Sequence, residues 1–429
     1  MVTKLVILLV IVLGVVAIAQ MIRVYELSSK LTKAKENEIS NRDNRFNARL
    51  MLLFIFAFFG SFIWLMVRFG WTGRGISASV HGDEIDWLMN LNLIIITLVF
   101  FLTNSLLFVF AFKYVKKPGV PALYYPHNNK LEMLWTVVPA MVLAVIIILG
   151  LKTWNDATGE SAPEAIRVEL FSKQFDWTAR YSGVDNKLGN YDYKLTTDNN
   201  ELALKTTATI DTAIRLMEEG PMGIKTIEDK LNDESIMLVP EEREKMEADL
   251  SRKERLIRLL YQMKAKHDPK EDAAAWDDFI QKDTLYLCKG REYEFSFRSK
   301  DVIHSAFFPH FRAQINTVPG LETRFKFIPK YTTLEMRDIK QNEDFHYVLM
   351  CNKICGGAHY KMKMMVVVLD EAEYDNWEKS KSNKTFRDTY FPAVEEAASN
   401  DEGDAPSENE EGENTADEAA VEEEEQVEA

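Results

Sequence analysis

The sequence predicts a membrane-anchored all-β protein, with N-terminal transmembrane helices followed by a Greek-key β-barrel that carries a helical insertion. Three observations lead there. Four long apolar stretches fill the first 151 of 429 residues. Strand-like segments rich in β-branched and aromatic residues follow in two blocks. A stretch of helical character parts those blocks. The averages, 47% hydrophobic and 27% charged, describe an ordinary soluble protein and hide this segregation. The net charge of −15 is equally uneven. Sixteen acidic residues and no Lys or Arg lie between Val394 and Ala429, which leaves 50 acidic against 51 basic residues elsewhere. A generally acidic fold is therefore excluded, as is a chain-wide basic footprint for nucleic acid. Three cysteines, Cys288, Cys351 and Cys355, are too few for a disulfide-dense secreted scaffold.

The apolar stretches are Leu5–Ile22, Leu50–Val67, Leu91–Phe112 and Leu134–Leu151, none with a charged residue. As helix, 18 residues span about 27 Å, the thickness of the hydrocarbon core. Lys4, the first apolar run and Ala17-Ile18-Ala19 imitate a cleavable export signal. Charge argues against cleavage. Seven cations (Arg23, Lys30, Lys33, Lys35, Arg42, Arg45 and Arg49) follow the first span, and four more lie in Lys113–Lys130. Short basic loops stay in the cytoplasm. Both loops inside means four retained spans and everything from Lys152 onward on the oxidising side. The expected location is the cell inner membrane, multi-pass, with a periplasmic C-terminal domain. Residues 1–48 are then the first span and basic cytoplasmic loop, 49–89 the second span and exported loop, and 90–152 a transmembrane helical hairpin.

Residues 153–200 supply the first part of the barrel, with strand-like Ile166–Phe171 and Tyr191–Leu195. Residues 278–385 supply the second, through Thr284–Leu287, Glu292–Phe297, Thr323–Ile328, His346–Met350 and Met364–Leu369. The expectation is an antiparallel sandwich or Greek-key barrel. The insertion, 201–277, is helical. Pro240 with Glu241 and Glu242 opens a helix, because its φ is preset and negative charge suits the positive end of the dipole. Met246, Leu250, Ile257, Leu260 and Met263 fall on one face of it, and Ile210, Ile214 and Met217 mark an earlier helix. A short helix at about Glu371–Lys381 ends the folded part, and 392–429 reads as a disordered acidic tail.

The most specific stretch is Cys351-Asn-Lys-Ile-Cys355-Gly-Gly-Ala-His359-Tyr-Lys-Met362. Soft sulfur donors with imidazole select copper, or else zinc, for which Met362 is a poor ligand. One copper of the blue type needs a single thiolate, so a second Cys suits two thiolates bridging two coppers. Each copper needs its own imidazole. His304, His310 and His346 are the candidates for the second, with His304 preferred because it lies between a strand-like segment and an apolar run. A plain Cys351–Cys355 disulfide is the bland alternative. Haem attachment through C-x-x-C-H is absent. Cys288 reads as a buried strand residue, and His81, His127 and His267 as surface or interfacial.

The motif closely resembles that of subunit II of the haem-copper cytochrome c oxidases, C-x-E-x-C-G-x-x-H-x-x-M. The likeness extends to Asp301-Val-Ile-His304-Ser and the Val318-Pro-Gly-Leu-Glu-Thr turn, and covers roughly Leu91–Asn199 and Asp278–Glu378. It implies a cupredoxin-like barrel holding a binuclear copper A centre, two coppers per chain. The implied ligands are His304, Cys351, Cys355, His359 and Met362, with the backbone carbonyl of Lys353. The family usually has Glu at Lys353, where the side chain reaches a magnesium ion shared with subunit I. A lysine ammonium has no lone pair, which puts that magnesium contact in doubt. Gln174-Phe-Asp-Trp177 resembles the family's Q-W-Y-W. The first Trp, where electrons come in from cytochrome c, is Phe175 here, with Trp177 as the other candidate. Glu132-Met-Leu-Trp135-Thr-Val-Val-Pro139 resembles the start of the family's second helix, whose Glu lies at the cytoplasmic mouth of a proton pathway.

The resemblance implies an electron-transfer subunit of cytochrome c oxidase. Electrons pass from a c-type cytochrome through copper A to haem in subunit I, where oxygen is reduced to water and protons are translocated. The chain lacks the intramembrane His cluster needed to bind haem. The enzyme is thus the complex with subunit I and the other oxidase subunits in membrane lipid, and oxygen reduction belongs to a partner. The alternative is a membrane-anchored copper chaperone or thiol–disulfide protein using the same C-x3-C pair.

Overall fold

The computed structural model describes residues 2–31, 40–70, 74–381 and 384–391. The acidic tail at 392–429, and Lys33 and Lys35 of the first basic loop, lie outside them. Four helices open the chain: α1 Val2–Leu31, α2 Asn41–Phe69, α3 Val80–Lys113 and α4 Asn129–Thr158. All four contain windows long and apolar enough to cross a membrane, and those windows are almost wholly unburied within the chain. Side chains close three of the N-termini: Ser40 accepts from Asp43 N, Ser79 from Gly82 N and Asn128 from Leu131 N. α2 and α3 pack through phenylalanines, with ring centroids 4.6 Å apart for Phe59–Phe101 and 4.8 Å for Phe62–Phe100.

The barrel begins with β1 Ile166–Lys173 and β2 Asp176–Tyr181. The insertion follows as α5 Thr207–Glu219, α6 Ile224–Asn232, α7 Pro240–Lys266 and the single turn α8 Ala273–Trp276. Then come β3 Phe279–Lys282, β4 Thr284–Cys288, β5 Tyr293–Ser299, β6 His304–Phe308, β7 Ala313–Thr317 and β8 Thr323–Phe327. The chain continues through α9 Thr333–Lys340, β9 Tyr347–Cys351, β10 Lys363–Leu369, α10 Glu371–Lys379 and α11 Phe386–Tyr390. Two five-stranded sheets result, ordered β3-β2-β1-β5-β8 and β4-β10-β9-β6-β7. The fold class is the expected one, helices followed by a two-sheet β-domain with a helical insertion. The antiparallel expectation needs one correction, since β1 pairs with β5 and β10 with β4 in parallel.

Period-two alternation in β5 sends Tyr293, Phe295 and Phe297 inward, where they meet Phe308, Phe325 and Phe327. Each buried Phe contributes about 1.5–3 kcal/mol of transfer free energy. Tyr191–Leu195 is not a strand. Asp192 accepts from Lys194 N at 3.0 Å, turning Tyr193–Leu195 into a 3-10 turn and leaving only an isolated bridge from Tyr191 to Leu204. Leu195 instead joins Ile210, Ala213, Ile214 and Leu260 in a second small core, edged by Met217, Ile257 and Met263. The insertion thus buries its own apolar face.

A polar cluster sits inside the first sheet. Arg180 bonds Glu169, and Asp278 at 2.6 Å, while Arg298 bonds Glu169 and lies 3.5 Å from the centroid of the Tyr191 ring. Burial alone would raise the Glu169 carboxyl, but the two guanidinium groups hold it below its ordinary range. Burial prevails at Asp278 and pushes its carboxyl up to about 7.

Main-chain bonds string the segment before α3 along the barrel. Ala78 N donates to His310 O at 2.8 Å, Lys330 N to Ala78 O at 2.8 Å and Val80 N to Ile328 O at 3.1 Å. The barrel is therefore seated on the first turn of α3.

Candidate metal centre

β9 ends on Cys351 and β10 begins after Met362, so the loop between them starts and finishes at one place. Cys351 N donates to Met362 O at 3.0 Å, and Asn352 N reaches Ser305 O in β6 at 3.1 Å. Gly356 turns the chain at φ +140°, a region that L side chains rarely adopt. Antiparallel pairing of Ala306 with Cys351 brings the start of β6, and so His304, beside the loop.

Five donor side chains meet there. The Sγ atoms of Cys351 and Cys355 are 3.9 Å apart. A disulfide requires about 2.05 Å, and both thiols are free. His304 Nδ1 lies 3.9 Å from Cys351 Sγ, and His359 Nδ1 lies 3.4 Å from Cys355 Sγ. Met362 Sδ is 3.7 Å from Cys355 Sγ, and Lys353 O is 3.1 Å from Cys351 Sγ. The ligand atoms of His304, Cys351 and Cys355 all fall within 4.8 Å of one another. His304 is fully enclosed, Met362 is buried, His359 is half-buried and the Lys353 side chain is exposed.

The donor set fits a soft cation. Burial and then the neighbouring Cys351 thiol push the Cys355 thiol up to about 11, so that thiol keeps its proton unless a cation displaces it. His304 Nε2 meets Asp301 Oδ1 at 2.9 Å, which leaves Nδ1 facing the sulfur. Burial would raise the Asp301 carboxyl, but bonds with His304, Gln174 N and Val302 N hold it below its ordinary value.

Trp177 is wholly buried beneath the site, its ring meeting that of His304 at 6.3 Å between centroids. Its indole nitrogen finds no hydrogen-bond partner among the described residues. Phe175 is half-buried beside Gly356, where an added Cβ would lie 2.9 Å from its ring. Glu132 lies far along the chain, in the first turn of α4, where Oε1 accepts from Asn128 N at 3.1 Å and completes the cap.

The remaining histidines lie elsewhere. His310 packs against Phe345 and Tyr347, His346 is exposed beside Arg337, and His267 Nε2 bonds Asp272 at 2.6 Å. Cys288 is buried at the end of β4. Two residues of the site were quoted in the motifs but given no role: Asp301 and Gln174. The signal for Asp301 was present, as a carboxylate three residues before a candidate ligand. Nothing local marks Gln174, because its partners are 127 and 181 residues away.

The family described as cytochrome c oxidase subunit II, transmembrane domain, matches residues 73–153. The alternative cytochrome c oxidase subunit 2 of Bradyrhizobium diazoefficiens is 25% identical over 276 residues, 64% of this chain and 71% of that protein. The cytochrome c oxidase subunit 2 of Cereibacter sphaeroides is 31% identical over 124 residues, 28% of this chain and 40% of that protein. Among solved structures, the periplasmic domain of cytochrome oxidase subunit II (CoxB) of Bradyrhizobium japonicum aligns with a TM-score of 0.25 at 13% identity. That alignment covers 52% of this chain and 99% of that domain.

Proposed function

With the resemblance to subunit II of the cytochrome c oxidases borne out, we propose that this chain is the electron-accepting subunit of an oxidase and holds a binuclear copper A centre. One observation carries the reading: two free thiols 3.9 Å apart, each with an imidazole nitrogen within 3.9 Å. His304, Cys351, Cys355, His359 and Met362, with the Lys353 carbonyl, are the proposed ligands. Held by these residues, copper would supply one-electron redox chemistry, and a rigid donor set would keep the rearrangement on each electron transfer small.

The chain's own residues supply rigidity and enclosure. Asp301 fixes the His304 ring, the Cys351–Met362 main-chain bond closes the loop, and Trp177 bars water from below. The proposed donor is a c-type cytochrome, and the proposed acceptor is haem in subunit I, where oxygen becomes water with coupled proton translocation. Glu132 is the proposed cytoplasmic mouth of a proton path, and the membrane is the inner membrane with the barrel on its periplasmic face. Lys353 cannot donate to a shared magnesium through its side chain.

The same pair of free thiols favours one alternative, a copper chaperone or thiol–disulfide protein, since closing to a disulfide needs only local movement. One experiment separates the two. The detergent-solubilised chain is loaded with copper, metal per chain is counted and the electron paramagnetic resonance spectrum recorded. Two coppers with hyperfine coupling to two equivalent nuclei are expected. One copper, or coupling to a single nucleus, would sink the binuclear assignment.

A further inference from the structure

We propose that Gln174 is a positioning residue that clips the two ligand-bearing segments of the metal centre together. The inference rests on the copper reading above and adds a residue to it. Gln174 sits in the turn between β1 and β2, whereas the donors come from β6, β9 and the loop after β9, all belonging to the opposite sheet.

Gln174 uses two separate groups for two separate segments. Its main-chain N–H donates to Asp301 Oδ2 at 2.7 Å, and the other oxygen of that carboxylate holds His304 Nε2 at 2.9 Å. Its side-chain Nε2 donates to the main-chain carbonyl of Cys355 at 2.5 Å. One residue of the first sheet thereby fixes His304 through Asp301 and fixes Cys355 directly. Gly356 keeps the space open, since an added Cβ there would come within 2.9 Å of Gln174 Nε2.

The consequence is mechanical. The Cys351–Met362 bond closes the loop on itself but does not set its distance from the turn before β6. The Gln174 amide sets that distance on the Cys355 side. Without it the Cys355 carbonyl bonds water, and the Cys355 sulfur shifts relative to its partner and to His304. Gln174 is exposed, so losing its amide opens no core cavity and the fold survives.

The test compares full-length wild type with Gln174→Met, which keeps the length and loses the donor. In the copper-free chains, diamide oxidation of Cys351 and Cys355 to a disulfide is timed. The variant is expected to close several-fold faster, because the clip no longer holds the sulfurs apart. In the copper-loaded chains, the variant's hyperfine pattern becomes unequal and its reduction potential moves, while the thermal midpoint of the copper-free protein stays put. A wild-type oxidation rate together with a wild-type spectrum and potential overturns the clip. Failure of wild type to bind two coppers defeats the copper reading instead, and the oxidation rates still decide the clip.

Discussion

Arg312 and Asp86 face each other in a two-pronged ion pair, Nε to Oδ1 at 2.9 Å and Nη2 to Oδ2 at 3.1 Å, that joins the barrel to α3. Arg312 adopts a left-handed φ of +56°, and its guanidinium also donates to the carbonyls of Arg74, Gly75 and Pro309. With side chains only 10% and 17% exposed, the pair is poorly screened. It orients the barrel on the helices.

Arg312→Ala is therefore expected to destabilise the chain by about 2 kcal/mol, the usual worth of charge-assisted hydrogen bonds. Asp86→Asn should cost less, because the remaining oxygen still accepts. Thermal unfolding in detergent of both single variants and the double variant measures the coupling. Strictly additive losses would show that the two side chains do not support each other.

The Asp301 carboxylate predicts a metal-affinity effect. Its bond to His304 Nε2 selects the ring form whose Nδ1 lone pair faces Cys351. Asp301→Ala is expected to weaken copper binding about 10–100-fold, the usual effect of losing such a partner. Competition with a copper chelator measures it. Unchanged affinity would mean that packing alone holds the ring.

A pH effect follows from His310. Burial against Phe345 and Tyr347, with Lys340 and Arg312 nearby, lowers its pKa to about 4. An unfolded imidazole titrates near 6.5. Between those values the unfolded chain binds the extra proton, so stability is complete above about 6.5 and is lost as pH falls toward 4. His310→Phe should flatten that part of the stability curve relative to wild type. Parallel curves for the two proteins would remove His310 as the cause.

The legible part of the fold was whatever repeats locally. Apolar runs gave the four helices, alternation gave β1, β5, β8 and β10, and Pro240 with two glutamates gave the start of α7. β6 and β7 went unread as strands because Pro309 and His310 interrupt them and their pairing is settled by β9. Tyr191–Leu195 alternates like a strand, yet the Asp192 turn decides its shape. Four candidate donors, Cys351, Cys355, His359 and Met362, announced themselves through spacing, while His304 was chosen among three histidines for its place between a strand-like segment and an apolar run. Among their supports, Asp301 stands three residues before His304 and could be read locally, whereas Gln174 and Trp177 act across the gap between the sheets and only the fold brings them in.

Burial separates the two aromatic candidates for electron arrival. Trp177 is fully enclosed, so a docked donor cannot touch it, and its ring instead meets His304 edge-on. Phe175 is half-buried at the surface, against Gly356 of the donor loop. Phe175→Ala is expected to slow electron delivery from a c-type cytochrome several-fold without changing copper content. Trp177→Phe should alter the spectrum of the centre while leaving the dependence of rate on donor concentration as in wild type. Trp177→Ala should cost about 3–5 kcal/mol, as large core truncations do. Stopped-flow reduction at several donor concentrations separates these outcomes. Altered donor dependence in Trp177→Phe with none in Phe175→Ala would reverse the assignment, because only a residue at the contact surface changes how a donor binds.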